Sequence, residues 1–264
     1  MRTFIHSASA SDSPSIFAQL TIASIAMLAI AVLWGQFDPR ILDDVSVWVK
    51  PAKFALSFTV HFATLAIIVA ALSENIRKHL SITIAGGVMA IAFLAEMAYL
   101  VFQAAQAEHS HFNFSTPFHQ TMYSLMGLGA VLLIAMLIVV AWVARRDLAI
   151  GSATKEGIWW GALTSFLLTL VTAGYLGNQG GHFVGVPYDP SRVLPIVGWS
   201  TEVGDLRPAH FLSLHAMQLL PLIGLWIDQT GRSVAIVKPL AAAYAVLSLV
   251  VLGQSLMGLP LISM

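Results

Sequence analysis

Glu96, Tyr99, Gln103 and Gln106 recur at i, i+3, i+7 and i+10 inside an otherwise apolar stretch, a spacing that puts a carboxyl, a phenol and two amides on one helix face. Three other apolar stretches carry polar groups in the same way. Lys53, Ser57, His61 and Thr64 share a face; His119 and Tyr123 share another, with Met122 and Met126 beside them; His215 and Gln218 share a third. An ionisable side chain inside a bilayer span is costly and belongs on a face turned to other helices, so each of these residues is a candidate for chemistry.

Imidazole with carboxylate suits iron, copper or zinc, and two neutral imidazoles from facing helices suit haem b. In a bare-metal centre the expected ligands are His61, Glu96 and His215, with His119 and then His210 as further candidates. In a haem centre His61 and His215 are the expected axial pair. Glu96, Tyr99 and Tyr123 are the expected catalytic groups, able to move protons, while Gln103 and Gln218 could orient ligands or substrate. Lys53 and His182 are further candidates for substrate binding, Lys53 through an anionic group. The simpler account of the deep residues is a hydrogen bond between helices, such as Glu96 with His61, and of Met122 and Met126 core filling.

Depth follows from a rise of about 1.5 Å per residue. His61 and Glu96 lie roughly 14 to 15 Å below the expected outer helix ends, His215 about 10 Å and His119 about 3 Å. The first three are therefore expected to converge, with His119, His210, His111 and His182 as an outer ring. His210 and His215, five residues apart, point about 140° from one another on a regular helix and are not expected to chelate one ion together.

The elements that position these groups are membrane spans. Hydrophobic residues make up 58% of the chain and charged residues 10%, far from the mix of a soluble domain. Seven segments approach the roughly 20 apolar residues a span needs: 16–34, 51–72, 82–105, 118–143, 158–176, 209–227 and 240–256. The expected fold is an all-α integral membrane protein, a single seven-helix domain after a flexible tail over residues 1–15. Gly177 to Gln218, which follows the fifth span and feeds His210, His215 and Gln218 into the sixth, is rich in Gly, Pro and polar residues, and its Phe183, Tyr188 and Trp199 could fold it down as a lid. Residues 37–50 are expected to lie along the membrane interface, Trp48, Trp159, Trp160 and Trp199 to anchor there, and Asp205 to cap the sixth span with Pro208 in its first turn.

The Lys/Arg bias places the N-terminus inside a cytoplasmic (inner) membrane, with Arg2, Arg77, Lys78, Arg145, Arg146, Lys155, Arg232 and Lys238 on the inner side. Both His-rich loops then face outward. Net charge is zero, which gives no reason to expect a nucleic-acid partner, and the absence of cysteine removes disulfides, thiolate metal sites and covalent haem attachment. No lysine falls in 240–256 to form a retinal Schiff base, and no Walker A, HExxH or GxSxG pattern occurs. Seven spans with scattered His and acidic residues are similar in outline to the alkaline-ceramidase type of membrane hydrolase, whose zinc is held by three histidines. The paired His of that group's last helix has no counterpart after Lys238.

The leading expectation is a metal- or haem-dependent membrane oxidoreductase acting on a small or lipophilic substrate, with a partner that supplies electrons. The alternatives are a zinc-dependent lipid hydrolase, with metal-bound hydroxide and Glu96 as base, and a proton-coupled carrier or channel in which Glu96 and His61 relay protons without a metal.

Overall fold

The structure, a computed structural model, describes residues 15–185, 189 and 192–264. The expected tail, apart from Ser15, and Tyr188 of the expected lid lie outside the described residues. Among the described residues the chain is all-α apart from two short strand pairs, and seven of the helices are long and apolar enough to cross a membrane. They fall in two compact units, divided after Ile150.

The first unit holds α1 (Ile16–Trp34), α2 (Val49–Ala71), the single turn α3 (Glu74–Arg77), α4 (Leu80–Gln106) and α5 (Pro117–Ala144). Ser15 starts α1 by accepting the Ala18 N–H on its hydroxyl. Where an interfacial segment was expected, the chain makes a hairpin, β1 (Ile41–Leu42) against β2 (Val45–Ser46). Its two-residue turn, Asp43 and Asp44, takes φ of 52° and 61°, the left-handed pair that matches the twist of such hairpins. The hairpin is tied down through Asp38, which accepts hydrogen bonds from Arg40 Nε at 2.9 Å and Trp48 Nε1 at 2.8 Å. Arg40 in turn donates to the Ala105 carbonyl at 2.7 Å, satisfying the C-terminal end of α4 with a cation. Trp48, expected as an interface anchor, is a buried, hydrogen-bonded wedge.

The polar face expected on α2 does not turn inward as a whole. Lys53 and Ser57 are exposed, and the buried face is Pro51, Ala55, Phe58, Phe62, Leu65 and Val69. Packing of Phe58 and Phe62 against Phe93 of α4, with ring centroids 5.0 and 5.3 Å apart, outweighs the polar spacing. At the other end of the unit Asp147, 2% exposed, accepts the Ser73 N–H at 2.6 Å and joins the α2–α4 connection to the end of α5.

The second unit holds α6 (Ser152–Gln179), β3 (Phe183–Val184), β4 (Gly204–Asp205), α7 (Arg207–Thr230) and α8 (Val237–Leu256), the last entered through a 3-10 turn. α6 and α7 share its most extensive packing. Gly157 and Gly161, spaced as GxxxG, let the backbones touch: a Cβ at Gly161 would lie 2.9 Å from the Ala216 carbonyl oxygen, and one at Gly157 would press on the Leu220 carbonyl. Gly224 does the same from α7 against Ala153 and Thr154. One turn on, Asp228 accepts the Ala153 and Thr154 N–H groups at 3.0 and 2.8 Å, capping α6 from its neighbour. That bond set starts α6 six residues before the expected 158.

The long connection is shorter than expected, since α6 runs to Gln179 and α7 begins at Arg207. It is folded on β3 and β4, which pair antiparallel, with an isolated bridge between Val193 and Ser200. The residue at the N-cap position of α7 is Leu206, but Asp205 just before it does the capping that was expected, its Oδ1 accepting the N–H of Arg207, the first residue of the helix, at 2.9 Å. Asp205 sits 1% exposed inside the loop, accepts the Ser200 N–H at 2.9 Å, and is held by Arg207 through Nε and Nη2. Pro208 does take the first turn of α7. α8 begins at Val237, so Lys238 does belong to the last helix, in its first turn and over the Trp160 ring, far from mid-span.

Candidate functional site

α4 keeps the inward stripe that its spacing implies. Glu96 and Tyr99 are each 4% exposed and Gln103 is fully buried, while Gln106 at the helix end is exposed. α5 delivers His119 to this stripe because Thr116 accepts the His119 N–H on its hydroxyl and Pro117 opens the helix, fixing His119 in the first turn. His119 Nδ1 then lies 3.1 Å from Tyr99 Oη and 3.4 Å from Gln103 Nε2. The Gln103 amide is oriented by its other bonds: Nε2 donates to the His109 carbonyl at 2.8 Å, and Oε1 accepts from Gln106 at 3.3 Å. Nδ1 is therefore faced by donors and acts as an acceptor, which leaves the imidazole proton on Nε2.

The residue opposite Nε2 is Glu108, with Oε2 at 3.4 Å. Nothing in the helical spacing marks Glu108, because it lies past the end of α4. Ala107 takes a left-handed conformation, φ 56°, and the Glu108 N–H bonds back to the Gln103 carbonyl at 2.9 Å. This reversal of the chain at the helix end returns the carboxylate over the stripe. Glu108 is 46% exposed at its side chain and His119 12%. The outcome is a graded row: a solvent-facing carboxylate, a half-shielded imidazole and a buried phenol.

Tyr123, one turn along α5, packs among His111, Phe112 and Phe114 with ring centroids 5.4 to 6.0 Å apart. His111 meets Ser110 Oγ at 3.1 Å and Phe54 of α2 at 5.3 Å between centroids. His109 is 3.7 Å from Asp43 at the hairpin turn. Outside the helices, Arg40 and Trp48 hold the Asp38 carboxyl well below the usual carboxylate range, chiefly through the Arg40 side-chain bond. His61, half-buried on α2, has its Nε2 buried without a hydrogen-bond partner among the described residues.

In the second unit, His210 Nδ1 is 3.4 Å from Thr172 Oγ1, which also donates to Ser213 at 3.3 Å. His215 Nδ1 is 2.8 Å from the Phe211 carbonyl four residues back, so it carries the proton there and leaves Nε2 as the lone-pair nitrogen. The His215 ring stacks on Phe211 at 3.8 Å, and Trp199 of the long connection packs edge-on against Phe211 at 5.5 Å. Gln218 Oε1 and Thr169 Oγ1 are buried without hydrogen-bond partners among the described residues. His182, beside β3, accepts the Leu206 N–H on its carbonyl at 2.9 Å.

The structure thus brings together Tyr99, Gln103 and His119 of the expected set and adds Glu108. Among the described residues, no three His, Asp or Glu side chains come close enough to hold a metal ion. Searches against protein-family models, curated proteins and solved structures give no match to this chain. Its class is that of a membrane-protein-like helical chain with seven bilayer-length apolar helices.

Proposed function

We propose that the chain is an integral membrane protein spanning a cytoplasmic membrane seven times, N-terminus inside, and that it works as a proton-coupled carrier of a small solute. The α4–α5 loop and the long connection before α7 then face outward. The observation that carries the reading is the His119 ring between the Tyr99 hydroxyl at 3.1 Å and the Glu108 carboxylate at 3.4 Å. A proton leaving Tyr99 for Nδ1 is matched by the Nε2 proton passing to Glu108, so one proton crosses the ring and no charge is left on the imidazole. Gln103 holds the ring in the tautomer that permits this.

The test is reconstitution in liposomes with a trapped pH dye and an imposed pH gradient. Wild-type protein is expected to carry protons, and His119→Gln and Tyr99→Phe to slow the flux by about 10²-fold or more. Equal flux in wild type, both variants and empty liposomes would sink the carrier.

A second reading is a haem or metal centre for redox chemistry on a small or lipophilic substrate, with an electron-supplying partner. It is favoured by His215, whose Nδ1 is anchored to the Phe211 carbonyl in the arrangement that presents Nε2 to a ligand. An ultraviolet-visible spectrum with analysis for iron, copper and zinc decides it. A Soret band with iron would promote this reading over the carrier.

A further inference from the structure

One turn along α4 from Tyr99, toward the helix N-terminus, the Glu96 carboxyl is 4% exposed and its Oε1 has no hydrogen-bond partner among the described residues. α5 is bare where it faces this oxygen: a Cβ at Gly129 would lie 3.1 Å from Oε1. The charged and titratable groups on the elements packed against α4 are few. α2 carries Lys50, which is within electrostatic reach of Glu96, together with exposed Lys53 and half-buried His61; α5 carries His119 and Tyr123; α1 carries none. A buried carboxyl oxygen left without a partner requires a reason, and a side chain that exchanges a proton supplies one.

We propose that Glu96 is the inner proton-binding group of this protein, taking up and releasing a proton at Oε1 on the same buried face of α4 that carries Tyr99 toward the His119–Glu108 pair. The inference rests on the carrier reading for its direction of transfer, but not for the protonation itself. In the tautomer that Gln103 selects, the row is set to move a proton outward. Tyr99 gives its hydroxyl proton to His119 Nδ1, Nε2 gives its proton to Glu108, and the Glu96 carboxylic acid supplies the proton that refills the Tyr99 oxygen, through water, since Glu96 Oε1 has no hydrogen-bond partner among the described residues. One proton leaves Glu96, one arrives at Glu108, and no bond to carbon changes. Gly129 matters because any side chain there would press on the oxygen that gains and loses the proton.

The experiment is infrared pH-difference spectroscopy on the full-length protein in lipid. A protonated-carboxyl C=O band that shifts in D2O is expected in wild type, absent in Glu96→Gln, and moved in frequency in Gly129→Ala. Gly129→Ala keeps the acid and so tests the assignment even if Glu96→Gln fails to fold. A band that persists in Glu96→Gln, or is unmoved in Gly129→Ala, overturns the inference. A band lost on adding sodium at constant pH also overturns it, since the site would then be one for a metal cation. The two readings fail separately: flux abolished by His119→Gln with no Glu96 band leaves the carrier standing alone, whereas a Glu96 band with no flux in any protein removes the carrier and keeps the proton site.

Discussion

Replacing Gly224 by alanine tests whether α6 and α7 meet backbone to backbone. The added Cβ would fall on the Ala153 carbonyl oxygen and lie 2.8 Å from its carbonyl carbon and 2.9 Å from Thr154 Cα, where ordinary contact begins at 3.4 Å. All three are main-chain atoms, so no side chain can swing away, and the helices must part by about half an ångström or more. Overpacking of this kind costs about 1–3 kcal/mol. Asp228, one turn further along α7, accepts two N–H groups at the start of α6. Parting the helices strains those bonds as well, and losing one to a charged acceptor adds about 1.5–3 kcal/mol. The expected destabilisation is therefore at least about 2 kcal/mol. The assay is reversible unfolding in mixed micelles, followed by tryptophan fluorescence, with hydrogen exchange at Ala153 and Thr154 as the local probe. Unchanged stability together with unchanged protection of those two amides would refute the close approach. Gly174, where a Cβ would meet nothing within 4 Å, serves as the control, and Gly174→Ala is expected to be neutral or slightly stabilising.

Arg207→Ala leaves the Asp205 carboxylate, 1% exposed, without its cation and frees the Gly198 carbonyl, so a loss of about 3–5 kcal/mol is expected; limited proteolysis should then cut within 180–206, and resistance equal to wild type would count against the loop core. Asp38 titrates far below an ordinary aspartate, so its contribution to hairpin docking is present above the usual value of about 3.9 and is lost only as pH falls through the depressed one. Trp48 fluorescence should accordingly hold steady from pH 7 to about 4 and change below that, whereas Asp38→Asn should show the changed signal already at pH 7.

Much of this protein was legible because a membrane imposes length. The seven apolar segments match the seven long helices within a few residues at most ends, the largest shifts being six residues, at the start of α6 and of the span that leads into α8. At α6 the cap comes from Asp228, seventy-odd residues away in the chain. The length and polarity of the spans did not bring out the close α6–α7 contact, which rests on Gly157 and Gly161. The α4 stripe was readable for a local reason: within one regular helix, spacing alone sets which residues share a face, and Glu96, Tyr99 and Gln103 are all buried.

The same rule held only in part on α2, where Lys53 and Ser57 have the right spacing but are exposed, and the phenylalanines hold the inward face beside a half-buried His61. Spacing fixes which residues lie together, and packing against a neighbour fixes which way they turn. The sequence by itself determined the spans, their apolar character and the polar face of α4, because these depend on local periodicity and length. Only the tertiary structure decided that His119 meets Tyr99 and Glu108, because that meeting needs a left-handed Ala107, a Thr116 cap and the close approach of two helices, none of which is written in a single helical period.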